Sequence, residues 1–252
     1  MNWANLLSEF ERGEGLRTVF QPIYNLGQEG IATVFGHEAL TRGPAGTALE
    51  SPTELFRYAR SRGRESELDL ACAHAAFAAS RDLQRPTRVF VNVQLSSLMR
   101  DADFPARLIH AATRAQIDPK TVVVELVERQ VVRLNAPLIL ALEQLREAGL
   151  AMAVDDFGVG LTTLELAIAF TPDFIKLDGA VLRGVAAERR RRTVVAAVVE
   201  MAVKLGAKVI GEGLENTADV LMASRLGVAL GQGRCLGREG PALTETGLRT
   251  LL

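Results

Sequence analysis

The 252-residue sequence predicts an α/β barrel of the TIM (β/α)8 type in a single domain, on three observations. Short β-rich runs recur eight times along the chain. Most are separated by segments with helical apolar spacing. Several of the runs are apolar without alternation, as parallel strands covered on both faces are. Eight strands with helical crossovers in about 250 residues is the size and rhythm of such a barrel. A doubly wound open sheet meets the same count, because strand number alone does not close a barrel.

In chain order, a short helix over about 3–12 precedes the first strand, which begins near Thr18 in TVFQPIY; the barrel is expected over about 18–252. The strands then follow as FGHEAL, RVFVNV, VVVELV, LAMAVDDF, FIKLD, AKVIGEG and the weak VALGQG. Ser51-Pro52-Thr53-Glu54 reads as a helix start, with Ser as N-cap, Pro at the first helical position and Glu completing a capping box. Gly149, Gly206 and Gly227 each close a helical run before a strand, at the left-handed position that glycine suits. The run Glu188-Arg189-Arg190-Arg191-Arg192 opens a long helix. Four successive arginines point around the cylinder, which favours a solvated start, but their charge opposes the helix dipole there and leaves room for a partner, a second subunit or an anionic ligand.

Composition excludes several classes of function. Lys plus Arg total 29 against 30 Asp plus Glu, a formal charge of −1, so the broad basic excess of a nucleic-acid polymer binder is missing. The most apolar stretch, Thr193 to Val203, is broken by Glu200 and is too short to span a bilayer. Cys72 and Cys235 form no metal or disulfide spacing and fit a reducing compartment. The N-terminal MNWANLLSEFERGE carries acids where a signal peptide carries positive charge, and no Ser/Pro/Gly-rich linker divides the chain. These features predict one domain over 1–252 in a cytoplasmic protein.

The informative pattern lies at the far ends of the strands. There the apolar runs deliver Glu38, Asn92, Glu125, Asp155 and Asp156, Lys176 and Asp178, Glu212, and Gln232. In a parallel barrel these ends converge on the face that carries the chemistry. Glu38, Glu125, Asp155, Asp156 and Glu212 bring five negative charges together against one from Lys176. Carboxylates so close cannot all ionise unless cations compensate, and otherwise their pKa values rise. Two divalent ions restore neutrality, and an all-oxygen donor set selects magnesium or manganese over zinc. Two such ions roughly 4 Å apart are the usual apparatus for water attack on a phosphodiester. Asp178 reads nearly as well as the cap of the next helix; Glu128, just past its strand, could only cap or pair with Arg129, but a supporting role is the favoured reading.

At Gly36-His37-Glu38-Ala39-Leu40-Thr41-Arg42 the sequence resembles the EAL-domain family, phosphodiesterases that hydrolyse the bacterial messenger cyclic di-guanylate. The resemblance runs through Phe20-Gln21-Pro22-Ile23, Asn92, Glu125-Leu126-Val127-Glu128 and Asp155-Asp156-Phe157-Gly158-Val159-Gly160. It continues through Ile175-Lys176-Leu177-Asp178, Gly211-Glu212-Gly213-Leu214-Glu215 and Gln232-Gly233. It implies a modified TIM barrel with an antiparallel first strand and hydrolysis of cyclic di-guanylate to the linear dinucleotide pGpG. By motif, Glu38, Asn92, Glu125 and Asp155 would bind one cation and Asp155, Asp156 and Glu212 the other, with Asp155 as the bridge. Lys176 matches the lysine that contacts the attacking water, and Gln232 the glutamine at the last strand. Gln21 and Arg42 match positions that contact the dinucleotide, and Glu215 matches the glutamate that anchors the loop after strand five.

The chain departs from the family pattern in two places: Leu161-Thr162-Thr163 replaces an aromatic and paired serines, and Arg234 replaces an aromatic after Gln232-Gly233. Those substitutions bear on the loop and the packing around substrate, while the ligand positions are all filled. The alternative to the enzyme is a receptor that binds cyclic di-guanylate without turnover and signals through a partner. An enolase-type barrel ranks last, because it needs a capping domain. The resemblance further implies a homodimer with Asp156 to Ala167 near the subunit contact, through Leu161, Leu164, Leu166, Ala167 and Ile168. With no room ahead of the barrel for a sensory domain, regulation is expected from the oligomer, from expression level or from a protein partner.

Overall fold

The computed structural model describes residues 6, 8–10, 14–27, 31–81, 87–127, 135–159, 162–240 and 249–250. All eight expected strands are present: β1 (Arg17–Leu26), β2 (Ile31–Arg42), β3 (Arg88–Gln94), β4 (Val122–Val127), β5 (Ala151–Phe157), β6 (Phe174–Leu177), β7 (Lys208–Gly211) and β8 (Leu230–Gly231). They pair in the order β1-β8-β7-β6-β5-β4-β3-β2, and β1 pairs with β2 as well, so the sheet closes into a barrel. Closure removes the open-sheet alternative. The first strand runs antiparallel to both neighbours, and the other contacts around the ring are parallel. A ninth two-residue strand, Arg249–Thr250, lies antiparallel against the start of β2 and has no counterpart among the expected elements.

The helices α1 (Pro52–Ser61), α2 (Glu65–Ser80), α3 (Leu95–Arg100), α4 (Phe104–Arg114), α5 (Ala136–Glu147), α6 (Thr162–Ala169), α7 (Gly179–Leu182), α8 (Arg189–Leu205) and α9 (Thr217–Arg225) connect the strands. The large core lies between helices and sheet, where Phe77, Phe104, Leu108, Leu142 and Leu145 are buried against Val91, Val124 and Val154. No described helix is long and apolar enough to cross a membrane. Of the expected helix at 3–12 only Leu6 and Ser8 to Phe10 are described, and these are helical. Leu6 and Phe10 pack with Leu16, Leu55 and Phe56 in a separate apolar cluster.

Two helix starts differ from expectation. Ser51 stands at the N-cap of α1 with Pro52 behind it, but its side chain makes no capping bond. Glu54 reaches forward to Arg57 Nε at 3.0 Å instead of back to Ser51, so no capping box forms. The arginines that open α8 also find specific partners. Arg191 Nη1 donates to the Ala180 carbonyl (2.5 Å), and Arg192 Nη1 to that of Ala186 (2.8 Å). Carbonyl oxygens of α7 and of the loop after it thus offset the unfavourable dipole. At the other end Gly206 closes α8 with φ 77°, the left-handed turn read from the sequence.

A second, smaller core fills the barrel itself. Ile23, Phe90, Val123, Ala153, Phe174, Ile210 and Leu230 supply one buried side chain each from β1, β3, β4, β5, β6, β7 and β8. On β2 the matching position is Gly36. A Cβ there would lie 2.9 Å from the Phe90 ring and from the Arg88 carbonyl, so glycine makes room for the aromatic.

Candidate active site

The period of a β-strand is two, so the residue two steps beyond each of these plug residues also faces the barrel interior. Counting toward the C-terminal mouth gives Glu38, Asn92, Glu125, Asp155, Lys176, Glu212 and Gln232 from β2 to β8, the last two just past their strands. On the antiparallel β1 the count runs backwards from Ile23 and gives Gln21. The apolar plug thus forms the floor of a polar chamber with one wall residue from each strand.

Lys176 stands at its centre, 1% exposed. Its Nζ lies 2.8 Å from Glu212 Oε1, 3.0 Å from Glu125 Oε2, 3.1 Å from Asp155 Oδ1 and 3.5 Å from Glu38 Oε2. Burial works against its charge, but the four carboxylates outweigh it and hold the lysine well above its ordinary pKa. The ammonium is thus held in place by acids from four elements of the barrel. The carboxylates respond in the opposite sense. Burial pushes Glu125 well above the usual range, with Glu38 adding to it. Burial also pushes Glu212 up to about 8 against the pull of Lys176, with Asp155 and Glu38 assisting. For Glu38 burial is overcome by Lys176 and by hydrogen bonds from Asn92 and Gln232, and its pKa is lowered.

Glu38 is held from two sides. Asn92 Nδ2 donates to its Oε1 at 3.0 Å and Gln232 Nε2 to its Oε2 at 2.7 Å. Gln232 Nε2 also donates to Gln21 Oε1 (2.9 Å), and Gln21 Nε2 donates to the Gly237 carbonyl (3.2 Å). Gln21 thus orients Gln232 as well as lining the mouth. Adjacent residues Asp155 and Asp156 should point to opposite faces of β5, yet a bulge intervenes. Val154 pairs with Ile175 and Phe157 with Leu177, leaving one extra residue on β5, and Asp156 takes φ 52°. The irregularity turns both carboxylates toward Glu212, and one oxygen from each of Asp155, Asp156 and Glu212 lies within 4.8 Å of the others.

Glu125 Oε1 is buried without a hydrogen-bond partner among the described residues, and buried Glu125 Oε2 and Asp155 Oδ1 share the single Lys176 ammonium. A buried set of oxygens with surplus negative charge is the chemistry of a hard-cation site, and these residues fit divalent ions. Beside the chamber a cavity of about 390 Å³ is lined by Glu38, Arg42, Phe56, Asn92, Asp155 and Asp156 among others. A smaller one, about 170 Å³, opens on the other side of Glu38 and is lined by Gln21, Glu212, Glu215, Gln232 and Arg234.

A family model described as EAL domain matches residues 3–239. The chain belongs to the EAL domain family. Among relatives, the cyclic di-GMP phosphodiesterase PA2567 of Pseudomonas aeruginosa is 30% identical over 92% of this chain and 39% of its own length. The probable cyclic di-GMP phosphodiesterase PdeB of Escherichia coli is 28% identical over 85% of this chain and 40% of its own. This chain therefore spans about 40% of those relatives. A structure of Klebsiella pneumoniae BlrP1 in complex with manganese and cyclic di-GMP superposes with a TM-score of 0.80 at 29% identity, covering 90% of this chain and 56% of that one.

Within this EAL domain the remaining expected residues that the structure describes lie outside the chamber. Asp178 is the N-cap of α7, accepting from Ala180 N at 2.6 Å, so the capping reading describes its carboxylate. Glu215 pairs with Arg234 at 2.5 Å, the residue that replaces an aromatic. Arg42 pairs with Glu239 at 2.5 Å. Glu128 and Leu161 lie outside the described residues. Asp69 was missed by the sequence reading. Fully buried on α2, it accepts from Gln94 N (3.0 Å) and Ser97 Oγ (2.5 Å), fixing the turn just beyond Asn92. Its place between Leu68 and Leu70, where the apolar run LACAHAAF begins, was the available signal.

Proposed function

We propose that the whole chain is one catalytic unit, a phosphodiesterase that hydrolyses cyclic di-guanylate to linear pGpG with two divalent cations, magnesium or manganese. The observation that carries this reading is the acid-walled chamber around Lys176, opening beside Arg42 into a cavity. Relatives named as cyclic di-GMP phosphodiesterases and a neighbour holding manganese and cyclic di-GMP support it. Glu38, Asn92, Glu125 and Asp155 would hold one cation, and Asp155, Asp156 and Glu212 the other. When bound, such ions supply Lewis-acid charge and a water that ionises near neutral pH.

The chain's own residues do the rest. Lys176 would donate a hydrogen bond to the attacking water and offset the carboxylates around it. Asn92 and Gln232 fix the Glu38 carboxylate, so that no reorganisation of that group accompanies attack. Gln21 keeps Gln232 in place at the rim. Arg42 suits a phosphate because its planar donor fork pairs with two oxygens. Water adds to phosphorus, one bond from phosphorus to a ribose oxygen breaks, and that oxygen leaves as a hydroxyl.

We also propose that the protein acts as a homodimer. Leu166 and Ala167 are buried on their own barrel, whereas Val159, Leu164 and Ile168 are exposed, so the apolar stretch offers one face to its own chain and another outward. Incubation with manganese and cyclic di-guanylate, followed by chromatography, tests the reaction. Conversion to the linear dinucleotide is expected; tight binding with the ring intact would instead establish the receptor reading.

A further inference from the structure

Arg42 is the one basic side chain lining the 390 Å³ cavity among the described residues, and Glu38, Asp155 and Asp156 line it too. Apart from the cations that the proposed function places on those acids, Arg42 is the positive charge this lining offers an anionic ligand. That arginine is already engaged. Its Nη2 donates to Glu239 Oε2 at 2.5 Å and its Nη1 to the Thr41 carbonyl at 2.9 Å.

The position of Glu239 is fixed by the backbone around it. Gly240 and Phe20 exchange two hydrogen bonds, at 2.8 and 3.0 Å, in an antiparallel bridge. Two residues before Glu239, the Gly237 carbonyl accepts from Gln21. The acid is thus delivered to Arg42 by anchored chain on both sides, although 197 residues separate the pair in sequence. Arg42 is partly buried, and the Glu239 side chain is about half exposed, so the carboxylate can swing into solvent while its backbone stays in place.

We propose that Glu239 is a built-in competitor for the phosphate-binding arginine, occupying one side of the Arg42 donor fork and setting the affinity for the anionic dinucleotide. This rests on the reading of cyclic di-guanylate as substrate. A carboxylate and a phosphate oxygen present the same acceptor geometry to a guanidinium. Binding must therefore either displace Glu239 or share Arg42 with it, and each route weakens the ligand's hold. The same competition helps product to leave. Glu239 acts through Arg42 and touches no reacting atom.

The test is a double-mutant cycle on the full chain, reading cyclic di-guanylate affinity by calorimetry with calcium and KM and kcat with manganese. Glu239→Gln should tighten binding and lower KM by about three- to fivefold, the scale of one partly exposed ion pair, with little change in kcat. In an Arg42→Ala background the same substitution should change affinity by less than about twofold. Glu239→Ala, judged folded by circular dichroism, should repeat the gain. Unchanged or weaker binding by both Glu239 variants, with wild type binding normally, would overturn the competitor role alone. An equal gain in the Arg42→Ala background would overturn it too, by showing a general charge effect. Failure of wild type to bind the dinucleotide at all would remove the substrate reading and this proposal together.

Discussion

Lys176 on β6 and Glu125 on β4 meet at 3.0 Å although β5 lies between their strands. The lysine therefore reaches across the mouth of the barrel, and its ammonium lies among carboxylates from four strands. With all four acids ionised the group carries surplus negative charge, since one cation faces four carboxylates. The shifts of Glu125 and Glu212 to higher pKa express that surplus.

Replacing this lysine separates its two roles. Lys176→Ala should lower kcat by about a hundredfold or more with little change in KM, because its bond to the attacking water strengthens only as attack proceeds. Removing one partner from a buried ionic cluster should also lower metal-free stability by roughly 3 kcal/mol. Manganese should restore much of that loss, as thermal melts with and without the ion will show. A loss of affinity with kcat intact would make Lys176 a substrate-binding group.

His37 gives a prediction about acid stability. It is 2% exposed, contacts Thr87 Oγ1 through Nδ1 at 3.3 Å, and is driven by burial to a pKa of about 4. The unfolded chain takes up this proton near pH 6.5 and the native protein only near pH 4. Stability therefore falls as pH drops from about 6.5 toward 4. His37→Gln should make urea midpoints less sensitive to pH across that window. His74, also lowered by burial, leaves a residual slope. Identical slopes in variant and wild type would discount His37 as a contributor.

The proposed dimer depends on the outward face of α6. Leu164 and Ile168 lie one turn apart, and Ile168 is 79% exposed. Ile168→Glu buries nothing in its own barrel but strikes a twofold contact twice. Sedimentation over a dilution series should find wild-type dimers and a folded monomeric variant. A fully active wild-type monomer at every concentration would take the dimer out of the mechanism.

The chamber was legible in the sequence because each wall residue interrupts an apolar strand run, as Asn92 does in RVFVNV and Lys176 in FIKLD. Period two then places plug and wall residues without any long-range information: Phe90 before Asn92, Phe174 before Lys176. The partners of Arg42 and Glu215 were not legible. They come from the segment after β8, where the contacts depend on barrel closure and on the Gly240–Phe20 bridge. The bulge that turns Asp156 was likewise hidden, since an Asp-Asp pair carries no mark of the extra residue. Ser51 shows the converse error: a good capping pattern at a helix whose Glu54 found Arg57 closer.

The most direct measurement is cyclic di-guanylate turnover by wild type and by Asp155→Asn, each with manganese and with excess chelator. Asp155 is the carboxylate assigned to both cation sites, and its substitution removes a charge while keeping the side-chain shape. The account predicts linear dinucleotide from wild type with manganese, none with chelator, and none from a correctly folded Asp155→Asn under either condition. Turnover that persists in chelator, or that is undiminished in the folded variant, would contradict it.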